Sequence, residues 1–276
     1  MFLGFGNTDA WQSFERDFPV FIEKSALLFQ TFNKVFHRKI EHSAPKVDKV
    51  VFHLGLLCRE DFKEILLLCA NGYGMGGLKI LRGLYERAVT ADYLSTHPDE
   101  ADNFLDYFYI HRRKENNHLK NIYGRDYFSR DEADYIEQEY QRVKDKFQET
   151  LCKKCGTTKP QMSWTRLDTA SMAKAADSAL DGWYYDCYFL PTLQAHTTMP
   201  GILSRLKPIE EKGLSFSSKA QGDEVKNVII RSHVIMLNIL DSQNEHFSLQ
   251  LYDELWERAK DFDEAWPDLK SSDAAE

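Results

Sequence analysis

Apolar positions recur at three- and four-residue steps along most of the chain, the period of helices that bury one face. Over about residues 9–42, Phe14, Phe18, Phe21, Ile22, Leu28, Phe29, Phe32 and Phe36 keep this spacing, with Pro19 placed to kink the run early. A second helix is predicted from about Val47 to Ala70, and the glycines at 72, 74, 76 and 77 read as its stop. A third, from about Leu78 to His97, is apolar round much of its circumference and is expected at the centre of the core. Pro98 opens a fourth, Asp99 to Tyr123. Ser129 and Glu132 form a capping-box pattern before a charged fifth helix, Arg130 to Leu151.

Beyond an irregular stretch at 152–163, helices are predicted at about Asp168–Leu180 and Trp183–Leu206, the latter divided by Pro191 and Pro200. A polar loop at 208–220 leads to closing helices at about 222–243 and 246–264. Continuous apolar pieces such as Ile65 to Leu68 lie inside longer helical periods, so no strand is predicted. With no repeat and no linker, the expected fold is all-α: a single bundle of about eight or nine helices without a sheet. One domain is expected over 1–266, with a disordered tail at 267–276. Leu81, Leu84, Tyr85, Ala88 and Phe108 are expected in the core.

Charge narrows the partners. A formal net charge of -8 argues against broad attraction to nucleic acid or anionic membranes, both of which need clustered Lys and Arg, although a local basic site remains compatible with it. No stretch approaches the roughly 20 consecutive apolar residues of a membrane helix. The segment Met1 to Trp11 also lacks a basic start and a long apolar run, so a cytoplasmic protein without a membrane partner is expected. The 5 Cys are an odd number, which fits reduced thiols, and Cys58, Cys69 and Cys187 sit in apolar runs where they act as small hydrophobes. Cys152 and Cys155 have the spacing of half a zinc knuckle, with no second such pair to complete four ligands.

Three segments carry candidate chemistry. On the fourth helix, His111, Glu115 and His118 stand at i, i+4 and i+7 and share a face with Phe104 and Phe108. Such a triad reads as a satisfied hydrogen-bond network, as half of a di-metal carboxylate signature, or as a single metal site aided by Glu86 or His196. On the third helix, Arg82 and Glu86 are i, i+4 neighbours at the edge of the apolar face, with Thr90 and Tyr93 continuing the row. Further on, Tyr185, Tyr188 or Phe189, and His196 align if the helix continues through Pro191. The glycine cluster matches neither dinucleotide nor P-loop patterns, and hydrolase and kinase signatures are absent from the sequence, so no cofactor is implied.

Arg113 and His118 form the Arg-x4-His pattern and so resemble HEPN-type helical ribonucleases. The resemblance implies metal-independent RNA cleavage, usually at a site assembled across a homodimer. His118 would move the proton, Arg113 would stabilise phosphorane charge, and Arg112 would bind phosphate. Separately, the run Gly77 to Arg87, with Ala91-Asp92-Tyr93-Leu94, Tyr188 and His196, resembles the bacterial family of unknown function DUF5677 over roughly residues 50–205. That resemblance implies an all-helical bacterial protein and carries no activity with it. Two functions therefore stand open: an endoribonuclease of toxin or phage-defence type using Arg113 and His118, and a non-catalytic helical module that binds a protein or a small ligand. Arg82, Glu86 and His196 are candidate binding residues in either case.

Overall fold

Helices form where the apolar period predicts them, and local backbone chemistry sets their ends. The structure, a computed structural model, describes residues 6, 8–125, 127–151, 155–209, 213–216 and 222–269. The first predicted helix is two: α1 (Thr8–Asp17) and α2 (Pro19–Phe36). Pro19 occupies the opening turn of α2, where its missing N–H costs nothing, so it starts a helix and does not kink one. Pro45 precedes α3 (Lys46–Ala70), which ends where Gly72 takes a left-handed φ of 80°. The other three glycines of the cluster are not a stop. They lie in the first turn of α4 (Gly74–Thr96).

Their place follows from packing. A Cβ on Gly77 would lie 3.1 Å from both Cys69 Sγ on α3 and Val228 Cγ1 on α10 (Gly222–Phe247), so the absent side chain lets three helices approach closely. α3, α4 and α10 form the heart of the core, where Phe62, Ile65, Leu81, Leu84, Tyr85, Ile229 and Ile235 are fully buried. Each such side chain contributes about 1.5–3 kcal/mol of apolar transfer. Cys58, Cys69 and Cys187 are buried as expected, and burial pushes the thiols of Cys69 and Cys187 up to about 12. Cys155 is exposed, and Cys152 lies outside the described residues.

Contacts group the chain into two compact units, where the sequence pattern pointed to one domain. The larger is made of residues 1–96 and 169–276, the smaller of 97–168. In the smaller, α5 (Ala101–Tyr123) packs on α6 (Arg130–Val143) around Tyr107, Ile110, Val143 and Phe147. The capping box forms as predicted: Glu132 N–H donates to Ser129 Oγ at 3.3 Å, and Ser129 N–H donates to Glu132 Oε2 at 3.1 Å. Phe108, expected in the core, is 55% exposed, because the buried face of α5 runs through Tyr107 and Ile110.

The larger unit also contains α7 (Thr169–Ala175), a π-helical turn at Tyr185–Phe189, α8 (Leu190–Ala195), α9 (Met199–Leu203) and α11 (Tyr252–Ala265). The described residues thus hold 11 α-helices, where eight or nine were expected, because prolines and turns divide the longer predicted runs. Nor is the chain free of sheet. Two antiparallel hairpins are present, β1 (Gln148–Thr150) with β2 (Thr158–Pro160), and β3 (Leu206–Ile209) with β4 (Gly213–Phe216). Strands of three or four residues are too short to write an alternating pattern into the sequence. Of the expected tail, residues 267–269 are described, and Asp268 pairs with Lys226 at 2.8 Å. The remainder lies outside the described residues.

Candidate functional site

On α5, helix geometry separates the residues of the Arg-x4-His pattern. Five residues advance the helix by about 140° beyond a full turn, so Arg113 and His118 face different directions. Arg113 Nε donates to Glu137 Oε2 at 2.9 Å, and its guanidinium lies 4.1 Å from the Tyr140 ring centroid. Arg112 is engaged as well, with Glu115 at 2.7 Å and over the Phe128 ring at 4.4 Å. His111 makes an edge contact with Tyr107, at 4.8 Å between centroids. His118 is exposed and has no hydrogen bond, ion pair or ring contact among the described residues. Among those residues no three His, Cys, Asp or Glu side chains converge as a metal site would require, so His111, Glu115 and His118 are not preassembled as ligands.

In the larger unit, Arg82 and Glu86 on α4 meet an aromatic cluster. Arg82 Nη2 donates to Tyr188 Oη at 3.2 Å and lies 3.9 Å from Glu86 Oε2. Tyr188 stacks on Tyr184 at 5.3 Å, and the buried Tyr85 Oη donates to Leu180 O at 2.9 Å. Tyr188 lies within the π-helical turn. His196 follows α8 with its ring exposed, outside this cluster.

A different set of residues forms the cavity with the strongest chemical character. Asp92, Ser95 and Thr96 line it from α4 at i, i+3 and i+4. Asn238, Asp241, Ser242, Glu245 and His246 line it from α10 at the same period, and Asp177 and Ser178 close it after α7. Its volume is about 400 Å³. No Lys or Arg belongs to this lining, while four carboxylates do. His246 Nε2 is bonded to Asp48 Oδ1 at 3.0 Å.

Asp92 is the deepest of these groups, only 8% exposed. Its Oδ2 accepts from Ser178 Oγ at 2.5 Å and from Asn238 Nδ2 at 2.8 Å. Its Oδ1 is buried with no hydrogen-bond partner among the described residues, and so is the Oγ of Ser95, one turn along the same helix. Burial drives the Asp92 carboxyl above its ordinary range, partly offset by the hydrogen bonds from Ser178 and Asn238 and by the nearby Ser242 hydroxyl, which makes no hydrogen bond of good geometry to it. Partial desolvation at the cavity wall raises Asp241 in the same sense. An unsatisfied buried oxygen costs on the order of 1–3 kcal/mol, and two of them on one wall define a place where hydrogen-bond partners are missing.

A second cavity of about 390 Å³ adjoins the first, and Ala179, Asn238 and Asp241 belong to both linings. It is apolar and aromatic, with Leu180, Trp183, Leu237, Tyr252, Leu255 and Trp256 in its walls. Sequence reasoning marked Arg82, Glu86 and His196 in this unit and missed Asp92 and the α10 face. The signal was there: polar residues at 92, 95 and 96, and again at 238, 241, 242, 245 and 246, interrupt two strongly apolar helices on one stripe each.

These features define a predominantly α-helical chain with an acidic cavity of small-molecule size in its larger unit. The family of unknown function DUF5677 matches residues 48–213, and the chain belongs to that family. The match takes in the α4 and α7 walls of the cavity and ends before α10. No curated protein and no solved structure matches the chain significantly.

Proposed function

We propose that this protein is a helical ligand-binding module whose larger unit takes a small polar molecule in the cavity beside Asp92. The observation that carries this reading is the pair of buried oxygens without hydrogen-bond partners among the described residues, Asp92 Oδ1 and Ser95 Oγ, on the wall of one cavity. A volume of about 400 Å³ lies within the roughly 300–1,000 Å³ of small-molecule sites. RNA cleavage by Arg113 and His118 draws less support, since the Arg113 guanidinium is already held by Glu137 and Tyr140.

Thermal unfolding of the full chain against a panel of sugars, amino acids, nucleosides and amines tests the reading. At least one member is expected to raise Tm in proportion to the logarithm of its concentration, as linkage requires. Asp241→Lys, an exposed change at the cavity wall, should abolish that rise while leaving the unliganded Tm within a few degrees. A panel without any effect on Tm, or a rise that survives Asp241→Lys, contradicts the reading. Chelator-resistant RNA cleavage lost in His118→Ala would restore the ribonuclease.

A further inference from the structure

The geometry points to an organic ammonium ion with an apolar body as the ligand, its charged end beside Asp92 and Asp241 and its body in the aromatic groove of Trp183, Tyr252 and Trp256. This inference rests on the cavity being a binding site and names the ligand class that its chemistry selects. The first argument is charge. When ionised, Asp92, Asp177, Asp241 and Glu245 offer only acceptors, and among the described residues neither adjoining lining contains a Lys or Arg to answer them. An ammonium group brings N–H donors and a positive charge together, so it can satisfy Asp92 Oδ1, which a carboxylate or phosphate ligand cannot, and can donate to Ser95 Oγ as well.

The second argument is the spread of those acceptors. A divalent cation needs several ligand atoms at one point, and among the described residues no three His, Cys, Asp or Glu side chains converge in that way. Carboxylates distributed over α4, the turn after α7, and α10 fit a group with several directed donors better than a bare ion. The third argument is that the two cavities adjoin, with Asn238 and Asp241 in the walls of both. A purely polar amine leaves the second cavity unused. Trp256 and Tyr252 are 65% and 53% exposed, and an apolar body laid on them removes aromatic surface from water. Lys260, 5.8 Å from the centroid of the Trp256 ring, is already paired with Glu257 at 2.7 Å.

Titration calorimetry of the full chain with phenylalkylamines of two to six methylene groups, and with the corresponding phenylalkanols as neutral isosteres, tests this assignment. The amines should bind, and each alcohol should bind at least tenfold more weakly. Asp241→Asn should weaken the best amine about tenfold. Trp256→Ala should weaken that amine while leaving methylammonium, which cannot reach the groove, unaffected. Both changes are at exposed positions, so folding is checked by an unchanged unfolding transition. Equal affinity for amine and alcohol overturns the inference, as does indifference of amine binding to both substitutions. If a sugar or another neutral molecule binds and Asp241→Lys abolishes that binding, the cavity is a ligand site of a different class. If nothing binds, both the class and the site are wrong.

Discussion

Asp92 concentrates the tension between stability and binding in one side chain. Its carboxyl is buried, its proton affinity is raised chiefly by that burial, and one of its oxygens has no donor among the described residues. A carboxyl with a raised folded pKa binds more protons in the native state than in the unfolded chain. Its contribution is therefore fully favourable below the unfolded value near about 4 and is lost as pH rises through the folded value. Asp92→Asn removes this dependence and keeps an acceptor for Ser178 and Asn238. Denaturant unfolding should show the variant gaining on wild type as pH rises from about 4 to 7, while amine binding is lost. A stability difference that does not change with pH would mean that burial does not raise the proton affinity of Asp92 in the folded chain. The choice of Arg113 and His118 from the sequence rested on residue types and spacing alone, and spacing does not reveal a partner such as Glu137, 24 positions away.

At the scale of elements, most helices were legible because burial of one face writes a 3.6-residue period into the chain. Their ends were harder to place. Pro19 and the glycines at 74, 76 and 77 each carry two meanings, breaker or first-turn residue, and only the packing of α3, α4 and α10 chooses between them. The hairpins went unseen because β1, β2, β3 and β4 have 3 or 4 residues each. The cavity went unseen for a different reason: its stripes on α4 and α10 are separated by more than 140 positions, so neither looks unusual alone.

The end of α7 offers a test at this scale. Asp177 holds a left-handed φ of 51°, and Ser178 N–H bonds back to Ala173 O at 3.0 Å, the closure in which glycine is the favoured residue. Asp177→Gly should keep stability within about 1 kcal/mol of wild type or raise it, because the left-handed strain is relieved. It should also weaken amine binding severalfold, because one carboxylate leaves the cavity. Chemical denaturation with calorimetry of the same variant checks both. Loss of stability without loss of affinity would make Asp177 a purely structural cap.

For the whole molecule, the larger unit contains every residue of both cavities, and the smaller unit contains the Arg-x4-His pattern. The two functional readings therefore occupy separate parts of the chain, and a map of where a ligand acts distinguishes them. Amide chemical-shift mapping of the full chain during titration with 4-phenylbutylamine makes that map. The account predicts saturable shifts grouped at 92–96, 177–183 and 234–246, with α5 unaffected. Shifts absent from these segments at saturating amine, or confined to α5, would contradict it.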